Sequence, residues 1–228
     1  MTPQPPNPAT TRRALRLVAA LLLVVAVTLL ALIASGAFDP HPLGSLARRD
    51  RPGPLTLSGR GEMLASQPLP WPAPPARYSV RLTAAHATGE TDSAYGLALG
   101  DDATLTVAVS PLGQAAVWQT VTGEDEPLTL LPWQPWPHVR AACSAGWQPA
   151  LQGEQTAGCQ PALQGNEIWL DVENEDGRTR VTARINRELL WEGEVAAPGD
   201  GVALWLASFG GAVTVDFQTL DWYAPAQN

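Results

Sequence analysis

Residues 166–195 read NEIWLDVENEDGRTRVTARINRELLWEGEV, and this stretch decides the fold. Apolar side chains occupy every second position of its first part, at Ile168, Leu170 and Val172. A turn-forming Glu-Asp-Gly follows at 175–177, and the same alternation returns over 181–185. Strict alternation with a period of two is typical of strands that bury one face. The stretch therefore predicts an antiparallel β-hairpin.

The period of two continues on both sides of this hairpin. It recurs over 78–82, 105–109, 202–206 and 213–217, with Gly-, Pro- and Asp-rich turn signals between the segments. No convincing amphipathic helix follows Pro40. Many strands at regular spacing, joined by sequential hairpins, predict an all-β antiparallel sandwich.

An uninterrupted apolar segment, LVAALLLVVAVTLLALIA, covers Leu17–Ala34 and contains one polar residue, Thr28. Extended over 14–38, such a helix is long enough to cross the roughly 30 Å hydrocarbon core of a bilayer. We therefore expect one N-terminal transmembrane helix at 14–38. A cleaved signal peptide is the alternative, with the small residues after position 33 as the cleavage site.

Charge and composition around the apolar segment predict the organisation of the chain. Three arginines lie within residues 12–16, and arginines next to a membrane helix favour the cytoplasmic side. We expect a cytoplasmic tail at 1–13, a Pro-rich linker at 39–54 and an extracytoplasmic β-sandwich domain at 55–228. The chain is then a single-pass protein of the cell membrane with its N-terminus in the cytoplasm.

The predicted outer domain is acidic. Twenty acidic residues and eight arginines lie beyond Pro52, which gives a net charge of −12. Because phosphate recognition needs clustered cations, this balance argues against a nucleic-acid partner.

Two cysteines, Cys143 and Cys159, are separated by fifteen residues. In an oxidising compartment an even pair most often forms a disulfide, and closing this loop would stabilise the fold by about 3 kcal/mol. The nearest histidine is His138 and no full ligand set accompanies it, so we expect no metal site and no cofactor.

The order of the segments resembles the concanavalin A-like lectin and glucanase jelly roll. YGLALG, SPLGQAAVWQ, the 166–195 stretch and GDGVALWLASFGGAVTVDFQTLDWY follow one another as in laminin-G-like and 3-keto-disaccharide-hydrolase-like modules of bacterial envelope proteins. The resemblance implies that Gly96 ends an early strand and that Asn166 opens a central one. It also implies that the closing VDFQTLDWY returns beside the first strand.

The sequence departs from this family pattern in two places. Asn186 falls at a hairpin usually written Asn-Gly, and Arg187 replaces the glycine. The stretch 141–165 is longer than the family's connection and contains both cysteines, so we expect a disulfide-stapled insertion loop.

Tryptophan is the strongest functional signal, with nine residues against three Phe and three Tyr. Trp169 alternates with the buried positions of its strand and lies beside Asp171, and Trp118 and Trp205 occupy outward positions in the same sense. Flat rings on a polar face suit sugar rings, whose hydroxyls a nearby carboxylate can bind. These four residues are the candidate ligand-binding residues. In the alternative, the insertion loop covers the rings as a second small core.

Two classes of function follow. The first is a non-catalytic binding module for carbohydrate or another envelope ligand, and the second is a structural or interaction subunit that docks on a membrane protein complex. A glycoside hydrolase is a third, weaker hypothesis, because Glu167, Asp171 and Glu173 share one strand face without the family's spacing. Residues 101–102 and 173–176 could each form a calcium site, and the alternative at both places is a turn without a bound ion.

Overall fold

The structure is a computed structural model that describes residues 8–36, 39–71, 73–100, 105–120, 126–142, 165–175, 178–196, 199 and 201–226. The chain divides into two compact units, Met1–His41 and Pro42–Asn228. The first contains a helix and the second contains strands.

The helix, α1, spans Pro8–Ala34. It begins earlier than residue 14 and ends before residue 38. Its segment Leu17–Ala34 has a mean hydropathy of 3.1 and no buried residue, so its length and composition suffice to cross a membrane, as those of a signal sequence also do. Thr28 donates its hydroxyl to the backbone oxygen of Val24 (2.9 Å), which satisfies the one polar side chain of this segment within the helix.

The second unit contains thirteen strands over the described residues. In chain order they are β1 (Ser45–Asp50), β2 (Gly53–Leu57), β3 (Met63–Pro68), β4 (Arg77–Gly89), β5 (Ser93–Leu99), β6 (Leu105–Val109), β7 (Gln114–Gln119), β8 (Leu128–Pro135), β9 (Asn166–Glu175), β10 (Arg178–Ile185), β11 (Glu188–Val195), β12 (Val202–Ser208) and β13 (Val213–Ala224). Sheet A has the order β1-β13-β4-β9-β10-β11, with β2 also paired to β13, and sheet B has the order β3-β12-β5-β6-β7-β8.

The two sheets form a sandwich, and the predicted all-β antiparallel fold is confirmed. Neighbouring strands pair antiparallel in both sheets. One apolar core joins them, because the inward residues of β4 and β9 cluster with those of β5, β6 and β12. The inward side chains are the ones that the alternation predicts, such as Val80, Leu82, Val107, Ile168 and Leu204, each of them fully buried.

The sheet begins earlier than the sequence predicts. Residues 39–54 were expected to be a linker, but β1 pairs with the end of β13 and β2 pairs with its beginning. Pro52 falls in the break between the two strands, where no ladder hydrogen bond is needed. Sheet A therefore starts at Ser45 and not after residue 54.

The resemblance to the jelly roll placed Asn166, the closing strand and Asn186 correctly. Asn166 opens β9, which lies centrally between β4 and β10, and β13 returns beside β1. Asn186 and Arg187 form the turn between β10 and β11 with φ angles of 52° and 75°. Asn186 holds this turn in place, because its side-chain oxygen accepts the backbone N–H of Glu167 (2.9 Å).

The prediction for Gly96 is wrong. Gly96 lies in the middle of β5 and does not end it. A Cβ atom at this position would lie 1.9 Å from the backbone oxygen of Val107, so glycine is needed for the close approach of β5 and β6.

The insertion 141–165 has its two ends joined. The backbone N–H of Arg140 donates to the side-chain oxygen of Asn166 (2.7 Å), and the Arg140 guanidinium donates to the backbone oxygen of Gly165 (2.7 Å). Cys143 and Cys159 lie outside the described residues, so the disulfide stays a prediction.

Candidate ligand-binding groove

The outer face of sheet B has a floor of very small residues. Ala98, Ala108, Ala203 and Ala207 point away from the main core, and Gly96 lies in the same surface. These alanines are buried, with at most 4% of each exposed. Small side chains leave room above the two central strands, so longer side chains from the neighbouring strands can lie across them.

Two tryptophans occupy that room. Trp205 on β12 and Trp118 on β7 lean toward each other across β5 and β6, and their ring centroids are 5.0 Å apart at an interplanar angle of 71°. Edge-to-face contact of this kind is favourable for aromatic rings. Trp205 is 7% exposed, whereas Trp118 is half-buried. A second small core therefore forms on this face, and its described members are the alanines and these two rings. Whether the insertion loop covers the rings stays a prediction, because residues 143–164 lie outside the described part of the chain.

A third tryptophan ring on this face is exposed to solvent. Trp133 on β8 lies 6.0 Å from Trp118, tilted by 47°, and is 40% exposed. Trp133 is not among the four candidates predicted from the sequence, because Pro132 and Pro135 beside it indicate a loop. A groove of about 700 Å³ opens beside the rings; its main lining residues are Leu64, Trp118, Thr129, Trp133, Trp205 and Phe209. We call it the tryptophan groove.

Polar groups in the tryptophan groove are few. Two exposed threonines, Thr120 and Thr129, contribute hydroxyls, and Glu62 contributes an exposed carboxylate at the end near β3. Hydroxyls and carboxylates set the orientation of a bound molecule, while ring faces supply the contact area. The groove suits a ligand with one flat apolar face and hydroxyl groups at its edge.

The remaining candidates, Trp169 and Asp171, lie on the outer face of sheet A and not in this groove. Trp169 is 2% exposed, and its indole N–H donates to Asp171 (2.7 Å). The Arg184 guanidinium lies 5.5 Å from the centre of the Trp169 ring and is ion-paired with Asp171. Ser79 donates a further hydrogen bond to the same carboxylate (2.5 Å). The oxygens of Asp171 are thus used inside the protein.

A second arginine–carboxylate cluster lies farther along the same face. Asp221, whose side chain is 4% exposed, accepts hydrogen bonds from Arg49 (2.6 Å) and Arg81 (2.9 Å). Burial by itself raises the pKa of Asp221, but the bonds from the two arginines outweigh it and hold this pKa below its ordinary value. The carboxylate therefore stays charged and pairs β13 with β1 and β4.

The three carboxylates considered for hydrolysis are each next to an arginine. Glu173 lies 2.5 Å from Arg77, Asp171 pairs with Arg184, and Glu167 lies 3.8 Å from Arg81. Among the described residues no group of three or more His, Cys, Asp and Glu side chains is arranged to hold a metal ion. Of the calcium candidates, residues 101–102 and Asp176 lie outside the part of the chain that the structure describes.

Comparison with known proteins finds a likeness in shape only. No protein-family model and no curated protein matches the chain. The solved structures include a carbohydrate binding module, CBM66, from Bacillus subtilis, at 10% identity and a TM-score of 0.38, over 80% of this chain and 99% of that one. Sheep galectin-11 has 11% sequence identity and a TM-score of 0.36, and the match covers 72% of this chain and 99% of that one. The catalytic domain of a GH131 β-glucanase from Podospora anserina has 8% identity and a TM-score of 0.39, over 77% and 72%. Scores this low carry no argument about ligand or activity.

Proposed function

We propose that the sandwich is a non-catalytic binding domain, held at the outer surface of the cell membrane by α1, and that the tryptophan groove binds carbohydrate. One observation carries the proposal: three tryptophan rings meet above a floor of alanine and glycine, and the outermost ring, Trp133, is 40% exposed beside an open groove. Indole faces pack against the C–H face of a sugar ring, and threonine hydroxyls beside them can bind sugar hydroxyls.

The arginine neighbours of Glu167, Asp171 and Glu173 support the non-catalytic part of the proposal. The Asp171 oxygens also accept hydrogen bonds from Ser79 and Trp169, so they are used within sheet A and are not offered to a substrate. Hydrolysis of any polysaccharide by the wild-type chain, abolished in a folded Asp171→Asn variant, would overturn this part.

The test of carbohydrate binding uses the full chain in lipid nanodiscs and a panel of soluble polysaccharides, with affinity measured by calorimetry. Because Trp133 is the most exposed of the three rings, we expect Trp133→Ala to fold normally and to bind at least about tenfold more weakly, equivalent to about 1.4 kcal/mol. Trp118→Ala should weaken binding in the same direction.

The matched control is Trp191→Ala on β11, which removes a partly buried tryptophan from sheet A. Its affinity should equal that of the wild type. If no polysaccharide binds the wild-type chain, or if Trp133→Ala and Trp118→Ala bind as tightly as Trp191→Ala, the carbohydrate proposal is wrong.

A second candidate function is docking on a protein of the membrane, and the rim of the tryptophan groove favours it. Leu64 is 65% exposed and Phe209 is 42% exposed at the end near β3 and β12. Adjacent exposed apolar side chains are typical of protein contact sites. A stoichiometric membrane partner that is lost on Leu64→Ser with Phe209→Ser, together with unchanged polysaccharide binding, would select this function.

A further inference from the structure

The first strand of the sandwich carries arginines on an otherwise acidic domain. β1 and the residue after it read SLARRDR, with Arg48, Arg49 and Arg51 all exposed. The chain beyond Pro52 has a net charge of −12. We call Arg48, Arg49 and Arg51 the basic edge, because β1 is the last strand on its side of sheet A.

Two of these arginines are positioned without being buried. Arg48 lies 2.8 Å from Asp50 and its side chain remains 42% exposed. Arg49 is bonded to Asp221 through Nε and Nη2 and its side chain remains 52% exposed. Arg51 takes part in none of the ion pairs found among the described residues. A guanidinium that is already oriented loses less entropy when it binds a phosphate.

Chain length limits how far the basic edge can be from α1. The helix ends at Ala34 and β1 begins at Ser45, so ten residues connect them. Ten residues span at most about 35 Å even when fully extended. Since β1 is the first strand after this short connection, the basic edge is the part of the sandwich nearest to α1 along the chain.

We propose that the basic edge binds the phosphates of anionic lipid headgroups, so that sheet A stands with β1 toward the bilayer. This inference rests on the proposed membrane anchoring by α1. The acidic remainder of the domain is repelled by an anionic surface, whereas the arginines of β1 are attracted to it within a Debye length of about 8 Å at physiological salt. Attraction at one edge and repulsion elsewhere orient the domain.

The test is hydrogen exchange of the peptide covering 45–51, measured on the full chain in nanodiscs of phosphatidylcholine alone or with 30% phosphatidylglycerol. We expect exchange at least about threefold slower on the anionic nanodiscs, with the difference lost at 0.5 M salt. In the double variant that combines Arg48→Gln with Arg51→Gln, the difference in exchange rate between anionic and neutral nanodiscs should disappear. Each variant is compared with itself on neutral lipid, so a general loosening of β1 cancels.

The control pair is Arg178→Gln with Arg180→Gln, which makes the same charge change on β10, toward the other edge of sheet A. It should keep the full lipid effect. An equal rate on both lipids, or an equal loss in both double variants, would overturn the inference. Slower exchange on neutral nanodiscs with 10 mM inorganic phosphate would also overturn it, because the site would then be one for free anions.

Failure of the anchoring gives a different result. A chain that separates from the nanodiscs on flotation contradicts membrane anchoring itself, and the lipid inference fails with it. A chain that floats with the nanodiscs but shows no lipid effect leaves the anchoring and the groove in place and contradicts only the basic edge.

Discussion

Replacing Asp171 by asparagine tests whether this residue is structural. Asp171 is 8% exposed on β9 and accepts hydrogen bonds from Ser79 on β4 and from Trp169 on its own strand. Its other oxygen is paired with Arg184 on β10. One carboxylate therefore joins three adjacent strands, and the substitution changes its charge and one oxygen while keeping its size.

The magnitude follows from these contacts. Asparagine keeps one oxygen for the serine and tryptophan donors, but its NH2 group faces the guanidinium of Arg184 with a donor in place of an acceptor. The loss of a charge-assisted hydrogen bond costs about 1.5–3 kcal/mol, and an unsatisfied buried donor adds about 1 kcal/mol or more. We expect about 3 kcal/mol in total, which lowers the Tm of a domain of this size by about 6–12 °C.

Thermal unfolding followed by tryptophan fluorescence measures the effect on the full chain in nanodiscs. The matched control is Asp216→Asn on β13, a partly exposed carboxylate outside the ion pairs of the described residues, which should change stability by at most about 0.5 kcal/mol. Asp171→Asn should leave polysaccharide affinity unchanged. A Tm equal to that of the control, or a loss of affinity without a loss of stability, would refute the structural role of Asp171.

Three further predictions concern other parts of the sandwich. Gly96→Ala should destabilise by about 3 kcal/mol or more in chemical denaturation, because its Cβ would lie 1.9 Å from a backbone oxygen that cannot move away; a loss below 1 kcal/mol would contradict this contact. The contribution of Asp221 to stability should be complete above its unfolded pKa of about 3.9 and should be lost as the pH falls through its lower folded pKa. The wild type should therefore lose more stability than Asp221→Asn between pH 5 and pH 2, and parallel curves would show that its arginine bonds do not matter. Reduction of the wild type should lower stability by about 3 kcal/mol and should leave Cys143→Ser with Cys159→Ser unaffected, whereas two free thiols in mass spectrometry of the unreduced chain would exclude the disulfide.

The sheet A part of the core could be predicted from the sequence because its central strands show a period of two. Apolar and polar residues alternate over 77–84 of β4 and 180–185 of β10, and in β9 Trp169 is the one apolar residue at an outward position. Two edge strands, β1 and β3, were not recognised. β1 contains SLARRD and β3 contains MLASQP, and no residue of either strand is fully buried. Where neither face is buried, the alternation of apolar and polar residues that identifies a strand is absent.

The exposed fraction of the candidate tryptophans could not be predicted from the alternation of inward and outward positions along their strands. Trp169 and Trp205 both occupy outward positions, as predicted, yet they are 2% and 7% exposed. Cross-strand neighbours decide this: Trp169 is paired in register with Arg81 and Arg184, and Trp205 with Gly96. Such neighbours are far apart in the sequence, so the strand order must be known before they can be identified.

The same dependence on neighbours explains why the two outer faces differ in what they can bind. On sheet A the residues beside Trp169, Asp171 and Asp221 are arginines and acids of adjacent strands, and they satisfy one another in the ion pairs Arg184–Asp171 and Arg81–Asp221. A ligand there would have to replace bonds that already exist. On sheet B, Trp118 is paired in register with Thr106 on β6, but the neighbours farther across β5 and β6 are alanine and glycine, whose small side chains leave the Trp118 ring half-buried. Binding there displaces only water from apolar surface, which is favourable. The tryptophan groove is therefore the place where a ligand gains contacts without breaking any inside the domain.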